Sequence, residues 1–252
     1  MPDKRHSRQA AADRPGAAGS RPWRRAAAVA GLLGLGLAAA LMSAHGRPQA
    51  GRLAPAVVAP AHEQPGQVRL EPIRLAGRGS LTTARFALAG GLSVFSLSHP
   101  AGGSFWVHLL DGRGRPQRVL AGASKPFSGS VGLGLPAGAY MLRAEAAGPW
   151  TVVVTQPRAV APAPLPRTYQ GRGRALVGPF HGRGTVRLTA TYDGDGDFAV
   201  DLLRDTGALL YTVVDVTDRA KPSGTLAALQ DGGYYLNVDA DGPWSVTLTG
   251  TA

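Results

Sequence analysis

Cysteine is absent from the sequence, which excludes a disulfide framework and any thiolate metal site. The redox compartment stays open, because oxidising surroundings do not require disulfides. The histidines lack metal-ligand spacing, and no serine lies in a nucleophile-elbow pattern. We therefore expect a protein without catalytic residues or cofactors, stabilised by hydrophobic cores alone.

Turn-forming residues are abundant instead. The chain of 252 residues has 35 glycines and 20 prolines, and only 17% of its residues are charged. This composition favours strands joined by tight turns over long helices.

One segment, residues 26–44, is uncharged and mostly apolar. Its 19 residues would extend roughly 28 Å as a helix, just enough to cross the hydrocarbon core of a bilayer. Seven Lys and Arg residues lie in residues 1–25, so we expect a signal-anchor helix with a basic tail in the cytoplasm. A cleaved export signal with a weak site near Ser43 and Ala44 is the alternative. Both interpretations place the rest of the chain outside the cytoplasm, attached to the cell membrane or secreted.

The second half of the sequence repeats the first at an offset of 94 residues. At an offset of 93, Phe105-x-Val107-x-Leu109 also matches Phe198-x-Val200-x-Leu202. So many coincident positions indicate a duplicated structural unit. The other matches are mostly glycines and aromatic residues: Gly77 and Gly171, Gly79 and Gly173, Phe86 and Phe180, Tyr140 and Tyr234, Gly148-Pro149-Trp150 and Gly242-Pro243-Trp244.

Prolines interrupt the stretches before and between the two copies, so these stretches are predicted to be extended linkers. The predicted segments are a basic tail (1–25), a transmembrane or signal segment (26–44), a linker (45–67), repeat 1 (68–157), a linker (158–168) and repeat 2 (169–252).

Within each repeat, side chains alternate between two faces. Phe105, Val107 and Leu109 form an apolar face, and the residues between them a mixed one. A period of two is typical of a strand buried on one side. Such strands recur roughly every 8 to 12 residues with Gly- and Asp-rich turns between them, which favours antiparallel sheets. We predict an all-β protein made of two tandem β-sandwiches, with these core aromatics: Phe105, Phe198, Tyr140, Tyr234, Trp150 and Trp244.

The order of these motifs resembles bacterial extracytoplasmic β-sandwich modules of the pre-peptidase C-terminal kind. The likeness rests on a Phe-x-Val-x-Leu-Leu strand followed by a Gly-x-Tyr-x-Leu strand that closes on Gly-Pro-Trp, in about residues 77–157 and 171–250. The resemblance implies a jelly-roll-like sandwich found on secreted or surface proteins, usually without enzymatic activity of its own. Such modules usually accompany a catalytic domain, whereas this sequence shows none.

The positive charge of the chain is unevenly distributed. The formal net charge is +11, yet residues 69–157 have nine basic and three acidic side chains, whereas residues 172–252 have seven and ten. Two copies of one nucleic-acid reader would not carry opposite charge, so no nucleic-acid partner is expected.

Binding residues are sought where the copies differ, because residues shared by both copies are needed for the fold. Trp106 aligns with Ala199 and is predicted to point outward beside His108. There it could stack on a sugar ring or a partner surface. The alternative is that Trp106 covers a linker or the neighbouring repeat.

An Asp-Gly repeat in repeat 2 allows a second hypothesis. Asp193, Asp195 and Asp197 alternate with glycine as in a calcium loop. The pattern departs from an EF-hand, because Phe198 stands where glycine is required and Arg204 where the bidentate glutamate belongs. Asp-Gly repeats are also ordinary in turns between strands, so both interpretations stay open.

The sequence thus predicts a membrane-anchored, extracytoplasmic, non-enzymatic binding protein whose partner is another envelope protein or a glycan. The alternative function is a structural spacer or envelope-assembly component without a ligand of its own.

Overall fold

The computed structural model describes residues 70–250. The predicted basic tail (1–25), membrane or signal segment (26–44) and first linker (45–67) lie outside the described residues. Within residues 70–250, no helix is long and apolar enough to span a membrane. Both repeats belong to a single compact unit.

The described residues form strands and connecting turns, without an α-helix among them. The strands are β1 (Ile73–Arg78), β2 (Leu81–Thr82), β3 (Phe86–His99), β4 (Phe105–Asp111), β5 (Pro116–Ala123), β6 (Phe127–Ala146), β7 (Pro149–Thr155), β8 (Arg167–Arg172), β9 (Ala175–Tyr192), β10 (Asp197–Arg204), β11 (Leu209–Thr217), β12 (Ser223–Asp239) and β13 (Pro243–Gly250).

Each repeat forms its own sheet, and the two sheets have the same strand order. In repeat 1 the order is β1-β7-β3-β6-β4-β5, with the short β2 also paired to β6. In repeat 2 it is β8-β13-β9-β12-β10-β11, so every strand except β2 has an equivalent in the other copy. The pairings between named strands are antiparallel. The predictions of an all-β fold and a duplicated antiparallel unit are confirmed.

Each sheet surrounds a separate hydrophobic core. In repeat 1 this is possible because the long strand β6 takes part in two regions of the sheet: its first part pairs with β3 and its last part with β4. The six predicted core aromatics are all buried, with at most 7% of any side chain exposed. The jelly-roll-like connectivity implied by the resemblance stays a prediction.

The repeated Gly-x-Gly and Gly-Pro-Trp motifs meet in one structural unit. The indole of Trp150 is buried, and its Nε1 donates a hydrogen bond to the backbone oxygen of Gly79 at 3.1 Å. The ring lies so close to Gly77 that a Cβ there would be 2.5 Å from Cζ2 of the indole. Repeat 2 reproduces both contacts with Trp244, Gly173 and Gly171. The motif is therefore duplicated because the glycines make room for the buried tryptophan.

The two repeats pack directly on each other. Leu92 of β3 forms a small buried cluster with Leu203 and Tyr235 of repeat 2. Beside it, the side-chain amide of Asn237 makes two hydrogen bonds to Gly132: it accepts from the backbone N–H and donates to the backbone oxygen, both at 2.8 Å. The Asn237 side chain of repeat 2 thus satisfies the hydrogen-bonding groups of the Gly132 backbone in repeat 1 and fixes the register of the junction.

Charged side chains of repeat 2 also contact repeat 1 at this junction. Arg174 donates to the backbone oxygen of Leu120 in repeat 1 at 2.7 Å and forms an ion pair with Asp239. Asp201 in repeat 2 feels the positive charge of Arg118 in repeat 1. Of these contacts, the attraction between Asp201 and Arg118 is the one that joins opposite charges of the two repeats.

Asp201→Asn is expected to stabilise the protein slightly at pH 7, by about 0.5 kcal/mol. Burial raises the pKa of the Asp201 carboxyl, and the negative charges of the nearby Asp239 and Asp215 raise it further. The Thr212 hydroxyl donates a hydrogen bond to this carboxylate at 2.6 Å and lowers the pKa in part. An acid with a raised pKa in the folded state binds protons more tightly than in the unfolded state, so its charge costs stability as pH rises above 3.8. An asparagine keeps the acceptor for Thr212 without the charge.

The measurement is the melting temperature of the full chain between about pH 3 and about pH 8. It compares wild type, Asp201→Asn and the exposed control Asp195→Asn. We expect the gain from Asp201→Asn to shrink towards acid pH. A gain that is equal for both variants, or independent of pH, would show that Asp201 carries no such penalty.

Candidate functional site

The outer face of repeat 1 contains the two residues singled out from the sequence. Strand β4 buries Phe105, Val107 and Leu109 completely in the core, whereas Trp106 and His108 are only partly buried. Trp106 and His108 therefore lie on the side of the sheet that faces away from the core.

The indole of Trp106 lies flat against the neighbouring strand. Trp106 is the cross-strand partner of Gly122 in β5, and a Cβ at Gly122 would be 2.6 Å from Cζ3 of the indole. Three ring atoms lie within 3.0 Å of that position, so the ring covers the glycine instead of standing away from the sheet. Aromatic side chains commonly cover a glycine across a strand pair in this way. Trp106 remains only partly buried in this position, so some of its surface stays accessible.

Charged side chains lie on β6, the strand that pairs with β4 on the side opposite β5. Glu145 in β6 is the partner of Trp106, and Arg143 is the partner of His108. Arg143 and Glu145 form an exposed ion pair with Nε and Oε1 3.3 Å apart. Exposed pairs add little stability, so these groups are available to hydrogen-bond a ligand. We call Trp106, His108, Arg143 and Glu145 the Trp106 face.

The equivalent face of repeat 2 is used differently. Its positions are Ala199, Asp201, Asn237 and Asp239. Asn237 is hydrogen-bonded to repeat 1, and Asp239 pairs with Arg174, which itself donates to the backbone oxygen of Leu120 in repeat 1. The contacts named above for the junction involve Leu92, Arg118, Leu120 and Gly132 of repeat 1, none of which belongs to the Trp106 face. At the four equivalent positions, repeat 1 carries an aromatic side chain, Trp106, where repeat 2 has Ala199.

The Asp-Gly repeat forms the turn between β9 and β10. Asp193 pairs with Arg219 at 2.9 Å, while a Cβ at Gly196 would lie 2.8 Å from Oδ2 of Asp241. The Tyr192 hydroxyl donates to the same Asp241 carboxylate. Burial and this hydrogen bond raise the pKa of Tyr192 to about 12. The glycines thus allow the turn to close around Asp241, a partner that the spacing of Asp193, Asp195 and Asp197 did not reveal.

Within residues 70–250, no group of three or more His, Cys, Asp or Glu side chains is placed to hold a metal ion. Calcium binding by Asp193, Asp195 and Asp197 stays a prediction.

Comparison with known proteins gives distant structural similarity alone. No family model matches the sequence, and no curated protein matches it. One similar structure is the N-terminal CBM22-1-CBM22-2 tandem domain from Paenibacillus barcinonensis Xyn10C, at 13% identity over 71% of this chain and 93% of that chain, with a TM-score of 0.23. The PBSX exported protein XepA is similar at 8% identity over 70% and 85%, with a TM-score of 0.24. A conserved protein of unknown function, PA5104 from Pseudomonas aeruginosa PAO1, is similar at 16% identity over 71% and 79%, with a TM-score of 0.21.

Similarity at this level carries no argument about what this chain binds. The fold and the site define a tandem all-β protein with an aromatic outer face on its first repeat.

Proposed function

We propose that this protein is a non-enzymatic, extracytoplasmic binding protein that recognises a glycan through the Trp106 face. One observation carries the proposal: the indole of Trp106 lies flat over Gly122, with hydrogen-bonding side chains beside it. Segment 26–44 would anchor the protein in the cell membrane with both repeats outside the cytoplasm.

The chemistry of this face suits a sugar better than an apolar peptide. The C–H groups on one side of a pyranose ring can stack on an indole, while its hydroxyls both donate and accept hydrogen bonds. Glu145, the cross-strand partner of Trp106, supplies acceptors. Arg143, the partner of His108, supplies donors. Recognition of an envelope protein through the same face is the competing outcome.

Trp106→Ala is expected to weaken glycan binding by about tenfold or more, because stacking on an aromatic ring and its buried contact area are both lost. The measurement is a glycan array with the purified full chain, followed by calorimetry on the best ligand. Trp106→Phe should retain part of the affinity, since a smaller ring can still cover Gly122.

Tyr211→Ala is the matched control, because Tyr211 is an aromatic residue of repeat 2 with 38% of its surface exposed. The Tyr211→Ala variant should bind the glycan with the same affinity as wild type. Unchanged affinity of Trp106→Ala would exclude the Trp106 face as the glycan site. Failure of the wild-type chain to bind any glycan would favour a protein partner or a structural spacer.

A further inference from the structure

A second surface stands out at the junction of the repeats. A groove of about 480 Å³ runs over the outer face of β6, β3 and β7, and two arginines at the start of repeat 2, Arg172 and Arg174, line its side. None of the Trp106 face residues line it.

The floor of the groove includes cross-strand rows of hydroxyl groups, beside Gly129 and Val153. Ser98 in β3 is paired with Ser128 in β6 and with Thr151 in β7, so three hydroxyl-bearing residues follow one another across three strands. Adjacent strands are about 4.8 Å apart, which places these groups within reach of one small ligand. In the next row Ser96 is paired with Ser130, whose hydroxyl already accepts a hydrogen bond from the backbone N–H of Leu176 at 3.0 Å.

The two arginines have different roles. The guanidinium of Arg174 is held by Asp239 and by the backbone oxygen of Leu120, so its charge is already matched. Arg172 is exposed, and among residues 70–250 it has no ion pair or side-chain hydrogen-bond partner. No carboxylate lines the groove. One unmatched positive charge therefore stands beside a floor of hydroxyl donors.

Repeat 2 shows which part of this arrangement the fold itself requires. Its equivalent outer face also bears hydroxyls, for example Thr189 and Thr191 of β9 with Ser245 of β13. Exposed Ser and Thr residues are ordinary on a strand, so the hydroxyls alone indicate nothing. On repeat 1, the start of the other repeat brings Arg172 and Arg174 to this face, where they form one side of the groove.

We propose that this groove binds a phosphate group. A phosphate oxygen accepts charge-assisted hydrogen bonds from a guanidinium and ordinary ones from Ser and Thr hydroxyls, and arginine suits such oxyanions by its planar set of donors. Arg172 provides the charge, and Ser98, Ser128 and Thr151 provide the hydroxyls. The proposal is independent of glycan recognition, because the two surfaces share no residue.

The test is a titration of the full chain with inorganic phosphate, followed by NMR shifts of backbone amides. Saturable shifts are expected at Ser98, Ser128 and Arg172. Arg172→Gln should weaken binding by about fivefold or more, as expected for loss of a charge-assisted hydrogen bond. Ser98→Ala should weaken it about twofold to fivefold without changing the charge of the protein.

Arg187→Gln is the matched control, because Arg187 is an exposed arginine on the equivalent face of β9 and does not line the groove of repeat 1. Its affinity should equal that of wild type, and melting temperatures confirm that each variant is folded. Equal weakening by both arginine variants would reveal non-specific attraction and overturn the proposal, as would linear, unsaturated shifts.

A second arm uses a short glycerol phosphate oligomer at the same phosphate concentration. Tighter binding per phosphate would identify a phosphodiester polymer as the source of the group, and equal binding would identify free phosphate. Loss of phosphate binding in Arg172→Gln with intact glycan binding, and the reverse in Trp106→Ala, separates this site from the Trp106 face.

Discussion

Trp150→Ala is expected to lower the free energy of unfolding by about 3–5 kcal/mol. Only 1% of the Trp150 surface is exposed, so truncation removes a large apolar side chain and leaves a cavity in the core of repeat 1. It also removes the donor for the backbone oxygen of Gly79. The loss of this donor from a partly buried carbonyl adds to the cost of the cavity. The measurement is urea denaturation of the full chain, with the transition of repeat 1 followed separately if the repeats unfold in two steps.

Trp106→Ala serves as the control for this experiment, because it removes the same side chain from the outer face of the same repeat. We expect it to cost about 1 kcal/mol or less, since the indole is only partly buried. Trp244→Ala should behave like Trp150→Ala, because Trp244 makes the same hydrogen bond at 2.8 Å to Gly173. Similar denaturation midpoints for Trp150→Ala and Trp106→Ala would refute the structural role assigned to the Gly-Pro-Trp motif.

The sequence revealed which residues the fold requires, but not which of them touch. Gly77 and Trp150 were both recognised because both recur in the second copy. Their contact joins β1 to β7, strands that lie at opposite ends of the repeat in sequence and are neighbours in the sheet. Spacing and periodicity describe one strand at a time, so the reason for the glycine became visible only when the pairing was known.

The junction between the repeats left little trace in the sequence. Asn237 and Arg174 are single polar residues of types that usually face solvent, and neither repeats at the matching position of the other copy. The opposite net charge of the two repeats was interpreted as evidence against a nucleic-acid partner, not as a sign of contact between the repeats. The groove was missed for a different reason. Arg172 belongs to a Gly-Arg-Gly motif that recurs in both copies, and its position beside the serines of repeat 1 depends on how the repeats dock.

Gly207→Ala is expected to destabilise the junction between the repeats, and the chain contains its own control. Gly207 and Gly114 occupy the same position in equivalent turns, β10–β11 and β4–β5, and both have a φ of +81°. Each donates a backbone hydrogen bond that closes its turn, to Arg204 at 2.8 Å and to Asp111 at 2.9 Å. Alanine in this left-handed conformation costs roughly 1–2 kcal/mol at either site.

The two glycines differ in what lies next to them. A Cβ at Gly207 would be 2.6 Å from the backbone nitrogen of Gly134 in repeat 1, whereas the nearest atom to a Cβ at Gly114 is Cε of Met141 at 3.8 Å. A backbone atom in a paired strand cannot move aside as a flexible side chain can. Gly207→Ala should therefore cost about 1–3 kcal/mol more than Gly114→Ala.

Denaturation midpoints of the two variants measure this difference, and small-angle X-ray scattering measures the separation of the repeats. We expect Gly207→Ala alone to increase the radius of gyration, because relief of the overlap with Gly134 requires repeat 2 to shift away from repeat 1. Since Asn237 and Arg174 hold the same junction, the shift should also weaken phosphate binding in the groove. Equal stability and equal dimensions for both variants would mean that the close approach of Gly207 to Gly134 does not hold the repeats together.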